Sequence, residues 1–313
     1  MKNNYLVSVI IPTIGRSSLK QTLGSVLNQT YQNLEIIITD DTYDCRAKPI
    51  LSSYSDKRIK YVVNTKYRKG PNGNKNNGLD HVKGEYFLIL DDDDFLLSTA
   101  VEELMQIVID KNYLLVFANC IDAISGKFTG KHCGKNEEVS YLDLLCKRYD
   151  GEYIGINKTS LFDGVRFNDE VWGYEGLLWL KILKKVNKSF YLHKGLRIYN
   201  TSTSDSVLKS YLNNIERFSL GYILFLDYFG DDLYYFCPKQ YFKHFIYTVY
   251  FLKLANKKKE MIKVYSKSLK YGLRYIFLET FWFIYCLVFP RKFVFISYNI
   301  FFKKLKKIFE FLV

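Results

Sequence analysis

The residues from Tyr86 to Phe95, Tyr-Phe-Leu-Ile-Leu-Asp-Asp-Asp-Asp-Phe, end an apolar run in four consecutive carboxylates. Adjacent carboxylates repel one another, and a fixed divalent cation carrying a diphosphate is the economical way to hold them, because hard cations take carboxylate oxygens. An acidic turn leading into a helix, favoured by capping and the helix dipole, is the other reading of the same residues. A second acidic pair, Asp40-Asp41, closes the apolar run from Leu34 to Thr39. Other chemistries find less support. The six cysteines include no Cys-x-x-Cys pair and the four histidines are scattered, so no zinc site is expected. Residues 70–78 carry glycine but lack the Gly-x-x-x-x-Gly-Lys-Ser/Thr form of a phosphate loop, and read as a loop feeding a helix with Lys75 and Asn76.

The elements that must position these groups alternate. Val7 to Pro12 is an apolar, β-branched run, and Ser17 to Leu27 follows with apolar spacing suited to a helix. Leu34 to Thr39 reads as a strand, Ala47 to Tyr54 as a helix, Ile59 to Val63 as a short strand, Lys75 to Val82 as a helix and Tyr86 to Leu90 as a strand. Strands alternating with helices predict an α/β fold with a mostly parallel sheet covered on both faces. Ligands in such sheets bind beyond the carboxyl ends of the strands. That rule places Asp40, Asp41 and Asp91 to Asp94 along one rim, beside the polar segment from Pro12 to Arg16.

The segment Val7-Ser-Val-Ile-Ile-Pro-Thr, the stretch from Leu23 through Asn28-Gln-Thr-Tyr to Asp40-Asp41, Lys75-Asn-Asn-Gly-Leu79 and the strand into Asp91 to Asp94 together resemble the opening of the family 2 nucleotide-sugar glycosyltransferases. The resemblance implies a GT-A fold and fades after about residue 210. It also implies a UDP-sugar donor and a divalent metal, Mn²⁺ or Mg²⁺. By the family pattern, Pro12 and Thr13 wall the nucleotide site, and Asp40 or Asp41 meets the uracil edge, where a carboxylate can accept from the ring N–H. Asp91 matches the first position of the Asp-x-Asp-Asp signature, at the ribose or sugar and the metal, and Asp93 matches the metal ligand. Asp92 fills the variable position among the donor-binding carboxylates, and Asp94 follows as a supporting or sugar-contacting carboxylate. Lys75, where the family often has arginine, and Asn76 are expected at the diphosphate or the donor sugar.

The resemblance further implies inversion by a single displacement, with a base about four residues before a tryptophan on a short helix. In Val171-Trp-Gly-Tyr-Glu-Gly-Leu-Leu-Trp179 the matching residue is Glu175, where the family usually has aspartate. A helix-start carboxylate is the plainer reading of Glu175. The family's Tyr-Arg-x-His loop has no histidine here: the chain reads Arg197-Ile-Tyr-Asn-Thr-Ser-Thr-Ser-Asp-Ser206, which leaves Asp205, Ser204 or water in its place, or a metal site open on that side.

The formal charge of +13 is unevenly distributed. Residues 1–237 hold 29 Lys+Arg against 29 Asp+Glu, whereas residues 238–313 hold 16 against 3. A basic tail so rich in Tyr, Phe, Ile and Leu points to an anionic membrane surface rather than to nucleic acid. The apolar segment from Tyr275 to Phe289 is shorter than the roughly twenty residues that span a bilayer, so interfacial helices are expected. A soluble helical core, or a dimer interface, would use the same residues differently.

The chain opens Met-Lys-Asn-Asn and enters a strand directly, so no secretory signal is expected and the protein is placed at the cytoplasmic membrane face. Residues 1–235 are expected to form the GT-A domain and residues 236–313 a helical, membrane-associating region. The expected acceptor is a polyprenyl-diphosphate-linked oligosaccharide. A narrower resemblance to the branching glucosyltransferases of Campylobacter-type protein N-glycosylation makes glucose the leading donor sugar. A capsule or lipooligosaccharide acceptor, and a non-catalytic membrane or nucleic-acid scaffold, are the competing readings.

Overall fold

The computed structural model describes residues 4–200, 211–271 and 276–297. It divides into two units, Met1–Lys209 and Ser210–Val313. In chain order the first unit carries β1 (Val7–Thr13), α1 (Leu19–Leu27), β2 (Leu34–Asp40), α2 (Ala47–Leu51), β3 (Ile59–Val63), α3 (Pro71–Leu79), β4 (Tyr86–Ile89), β5 (Phe95–Leu96), α4 (Ala100–Lys111), β6 (Leu115–Asp122), β7 (Glu137–Val139), α5 (Tyr141–Leu145), β8 (Tyr153–Lys158), α6 (Gly176–Val186) and β9 (Ser189–Tyr199).

The sheet runs β3-β2-β1-β4-β8-β6-β9-β5, with β7 on β9. From β3 to β4 all pairs are parallel, and the strand order reverses beside β1, where β4 takes its other edge. Such a reversal opens a crevice at the carboxyl ends of the strands. Beyond β4 the sheet is mixed: β8 lies antiparallel to β4 and β6, while β6 and β9 are parallel. The register puts Thr13 beside Asp40, Asp40 beside Val63, and Ile10 beside Ile89. The ends of β1, β2, β3 and β4 therefore share one rim. Beneath it, Val9, Ile11, Ile36, Ile38, Leu88 and Leu90 are fully buried with the inner faces of α1 and α4.

Helix α3 starts at Pro71, four residues before the expected Lys75. Pro71 is preset for a first helical position, and Gly70 before it takes φ 132°, open only to glycine. The sequence Pro-Asn-Gly-Asn-Lys-Asn-Asn-Gly-Leu has poor helix propensity, and tertiary contacts hold it instead. A Cβ on Gly78 would come within 2.4 Å of Ile10 Cγ2, so glycine lets the helix lie directly on β1. Residues read from sequence as a loop are thereby helical.

The second unit contains α7 (Ile215–Phe236), α8 (Pro238–Leu254), α9 (Lys258–Ser268) and α10 (Ile276–Val288). The boundary lies near residue 210 rather than 235, because α7 packs against α8: Phe225 stacks on His244 at 4.2 Å and Tyr222 on Phe251 at 4.7 Å. Phe245, Val249 and Leu252 of α8 are fully buried. Among the described residues no helix is long and apolar enough to cross a membrane. Ser204 and Asp205, expected in place of the family's histidine, and the final basic-aromatic stretch from Phe301 lie outside the described residues.

Candidate active site

Asp40, at the end of β2, has no exposed surface, and four donors consume its oxygens. The Thr42 N–H and hydroxyl reach Oδ1 at 2.9 and 2.7 Å, while the Ala47 N–H and the Tyr61 hydroxyl reach Oδ2 at 2.9 Å each. Asp40 thus fixes the turn into α2 and is spent as a ligand-binding group. Asp41 differs. It accepts from Asn64 Nδ2 and the Gly70 N–H at 2.7 Å each, with Lys69 Nζ 3.9 Å away. Burial raises its pKa, opposed by Asn64, Gly70 and Lys69. Beside it opens a cleft of about 620 Å³ lined by Thr42, Tyr43, Val63, Asn64 and Lys69. Tyr43 is 90% exposed, with Lys69 Nζ 4.8 Å from its ring centre.

Pro12 and Thr13 are buried within β1 and support the rim from beneath. The Thr13 hydroxyl accepts from the Gly15 N–H at 2.9 Å and donates to Asp92 Oδ2. Asp92 also receives the Ile14 N–H at 3.3 Å and the Arg16 guanidinium. With no exposed surface and both oxygens engaged, Asp92 ties the β1 loop to the β4 loop instead of facing a ligand. The exposed surface at this corner comes from Ile14, Gly15 and Arg16.

Helix α3 is the main positioning device. Asn74 Nδ2 donates to the Thr13 and Thr39 carbonyls at 3.2 and 2.9 Å, joining β1 to β2. Asn76, expected at the donor, is 1% exposed and exchanges two hydrogen bonds with the Phe167 backbone, at 2.8 and 2.9 Å. Asn72 Nδ2 donates to the Asn168 and Gly173 carbonyls at 2.8 Å each. These two asparagines hold the segment leading to Glu175, and their amides are unavailable to a diphosphate. Trp179 of α6 packs edge-on against Phe162 and Phe167 at 5.4 Å each, seating the helix. Gly173 and Tyr174 take φ 68° and 63° in succession and turn the chain into the helix. For a tyrosine that conformation costs about 1 kcal/mol, so packing must hold it.

At the end of this turn, Glu175 Oε1 lies 2.8 Å from Lys75 Nζ, and Asp91 Oδ1 lies 3.4 Å from the same ammonium. The Lys75 side chain is 12% exposed. Burial would depress its pKa, but Asp91 and Glu175 more than reverse this and hold it above the usual lysine value. Desolvation likewise works to raise Asp91, and Lys75, Arg197 and Arg16 together bring it below the ordinary carboxylate range. The structure therefore brings Lys75, Asp91 and Glu175 together, although they lie far apart in the chain.

Asp93 makes no hydrogen bond to any other described residue. Burial and the neighbouring Asp91 charge push its carboxyl up. Asp94 is turned inward, accepting the Asn200 N–H at 2.8 Å with Arg197 Nε 3.5 Å from Oδ2. Burial drives it to about 7. Arg197 is 4% exposed, and its Nη2 lies 3.4 Å from Glu152 Oε2. Arg197 and Glu152 were not assigned site roles from the sequence. In the sequence Arg197 is only the start of a loop lacking histidine, and no local signal marks Glu152, which tertiary folding brings to Arg197.

Among the described residues no three or more His, Cys, Asp or Glu side chains gather into a metal cage. The donor set nevertheless fits a hard cation. Asp91 and Asp93 offer oxygen, no other described residue donates to Asp93, and Mg²⁺-type ions commonly use one or two carboxylates with substrate phosphates and water.

The glycosyl transferase family 2 model matches residues 8–163. The chain is 39% identical over 274 residues to a Campylobacter jejuni GalNAc(5)-diNAcBac-PP-undecaprenol beta-1,3-glucosyltransferase, covering 84% of this chain and 88% of that protein. It is 28% identical over 188 residues to the Escherichia coli UDP-Glc:alpha-D-GlcNAc-diphosphoundecaprenol beta-1,3-glucosyltransferase WfgD, covering 60% of this chain and 73% of that one. In structure it is similar to Staphylococcus aureus TarS 1-349 in complex with UDP-GlcNAc, with TM-score 0.63, 17% identity and coverage of 94% and 91%. That likeness supports the GT-A architecture. On this fold, and on the similarity running through most of both chains, the protein belongs to glycosyl transferase family 2 and is a glycosyltransferase.

Proposed function

We propose that this enzyme transfers glucose, with inversion, from UDP-glucose to a hydroxyl of a polyprenyl-diphosphate-linked oligosaccharide at the cytoplasmic membrane face. The observation that carries the chemistry is the Lys75 bridge, which sets Glu175 one ammonium away from Asp91. The choice of glucose and of a lipid-linked acceptor rests on the activities of the Campylobacter and Escherichia relatives.

In this reading Asp41 accepts from the uracil ring N–H, with Tyr43 and Lys69 lining the base cleft. Asp91 and Asp93 would hold the divalent cation. Bound there, it would supply Lewis-acid stabilisation to the departing diphosphate. Lys75 adds a fixed positive charge on the same side, where negative charge develops. Glu175 takes the proton from the acceptor hydroxyl as that oxygen attacks C1 and the C1–O bond to UDP breaks. Arg197 holds Asp94 inward and keeps the strand end behind Asp91 rigid.

The test is UDP release from a panel of UDP-sugars with Mn²⁺ or Mg²⁺ and lipid-linked glycan acceptors, in wild type and Asp93→Ala. Release with UDP-glucose, dependent on metal and lost in Asp93→Ala, is the expected result. Selective release with another sugar would replace glucose. Failure to bind any uridine nucleotide would overturn the reading.

A further inference from the structure

Helix α10 is apolar on both its buried and its exposed faces. Its inner face is anchored by Trp282, whose Nε1 donates to the Ile246 carbonyl at 3.1 Å, and by Phe283, stacked on Tyr265 at 4.3 Å. The helix's one charged side chain, Glu279, lies on this inner face at 4% exposure, and burial drives its carboxyl up to about 7. The outer face holds Phe277, Phe281, Ile284 and Val288, which are 82%, 64%, 50% and 68% exposed. They recur at intervals of four, three and four residues and form one stripe. A helix that buries its only carboxylate and exposes a stripe of Phe277, Phe281, Ile284 and Val288 is built for a neighbour other than water.

Two features identify that neighbour. The stripe leads directly into exposed Arg291 and Lys292, then to exposed Phe293 and Ile296. On α9, which packs against α10 through Tyr265, the exposed residues include Lys258, Lys259, Lys263 and Lys267. A second copy of this chain would bring positive charge to positive charge, because residues 238–313 hold 16 basic against 3 acidic side chains. An anionic bilayer complements both features, with apolar side chains entering below the headgroups and lysines remaining among the phosphates.

We propose that the outer face of α10 inserts into the interfacial layer of an anionic lipid bilayer, with Phe277, Phe281, Ile284 and Val288 as its immersed residues. The proposal rests on the membrane-surface part of the function given above and names the element that makes the contact. At 13 residues α10 measures about 20 Å, too short to cross the roughly 30 Å hydrocarbon layer. The helix is therefore expected to lie in the plane of the surface.

The full chain would be sedimented with vesicles of phosphatidylglycerol and phosphatidylcholine, or of phosphatidylcholine alone, without donor or acceptor. Binding to the anionic vesicles is expected, with partition lowered at least about tenfold by Phe277→Ser with Phe281→Ser. Ile284→Ser with Val288→Ser should act likewise, and each of Arg291→Gln and Lys292→Gln should cost about fivefold. An unchanged thermal midpoint would show that each variant folds. Absence of binding would overturn the proposal. So would binding insensitive to both apolar pairs, which would mean adsorption by charge alone, or loss of a dimer in those variants with vesicle binding intact. Because no turnover is read, failure here leaves the transferase reading standing, and absence of transfer leaves the membrane contact standing.

Discussion

Replacing Lys75 with methionine separates catalysis from packing. The ammonium contacts Glu175 at 2.8 Å and Asp91 at 3.4 Å, and its removal leaves two carboxylates facing each other without a counter-charge. A fully buried ion pair broken in this way costs about 3–5 kcal/mol. Here the carboxylate side chains are 30% and 42% exposed, so solvent screening reduces the expected loss to about 1–2 kcal/mol. For a unit of this size that corresponds to a fall in Tm of about 2–8 °C. The pH dependence has a definite sign. Asp91 is held below its unfolded pKa, so its contribution is full above that value and is lost as pH falls through the folded one. The wild-type advantage should be complete at pH 7 and shrink below about pH 4. In catalysis, loss of a fixed charge near the developing diphosphate should lower kcat by about 10²–10³, with Lys75→Arg retaining part of it. Steady-state UDP release and thermal unfolding across pH measure both. If Tm falls as expected and kcat changes less than about threefold, Lys75 only fills space between two carboxylates, and the bridge does not carry the chemistry.

Other substitutions test the remaining assignments. Glu175→Gln should leave the fold intact and lower kcat by about 10²–10⁴, measured as UDP release with acceptor; an unchanged rate would exclude Glu175 as the base. Asp41→Asn should weaken UDP binding by about tenfold through loss of a charged acceptor, whereas Asp40→Asn, which disturbs four hydrogen bonds, should lower Tm first; calorimetry with UDP and thermal melts separate the two. Asp93→Ala should abolish metal-dependent release while leaving the metal-free Tm equal or higher, since it removes a carboxylate strained by burial and by Asp91. Glu279 has its folded pKa raised to about 7, so its stabilising contribution is full below the unfolded value and lost as pH rises through 7. Glu279→Gln should therefore raise Tm at pH 8 and change it little at pH 4, in paired melts.

The first half of the sheet was legible because its signals are local. Apolar runs from Val7, Leu34 and Tyr86, rich in β-branched or aromatic residues and each closed by polar ones, mark β1, β2 and β4 to within a residue. Helix α3 was misjudged at its start because its stability is tertiary. Four asparagines and two glycines argue against a helix locally, and only Ile10, Thr13, Thr39, Phe167 and Asn168, all distant in sequence, explain why they form one. The mixed half of the sheet was hidden for a similar reason. Strand β8 inserts between β4 and β6, and no local pattern states that order. The domain boundary was placed by charge, which changes near residue 238, whereas packing changes earlier, where α7 joins the helical unit.

The acidic run was visible in the sequence, but its division of labour was not. From Asp91 to Asp94 the residues alternate between half-buried and buried, so Asp91 and Asp93 turn toward the rim while Asp92 and Asp94 turn into the protein. The four residues form a turn closed by the Asp94 N–H on the Asp91 carbonyl at 3.2 Å, and the side to which each carboxylate turns decides its function. Inward, Asp92 meets Thr13, Ile14 and Arg16, and Asp94 meets Asn200 and Arg197. Each inward carboxylate thus ties the loop to a neighbouring strand end. Outward, Asp91 shares an ammonium with Glu175, and no other described residue donates to Asp93. The pair at the end of β2 divides in the same way: Asp40 is saturated by its own loop, and Asp41 lies at the edge of a cleft. Repulsion among adjacent carboxylates is thus met by protein donors for the inward members and by the Lys75 ammonium for Asp91, while in the proposed function a divalent cation would serve Asp93. Replacing an inward aspartate should therefore cost stability before binding, and replacing an outward one binding before stability. That ordering follows from which oxygens are already occupied, and spacing in the sequence alone does not contain it.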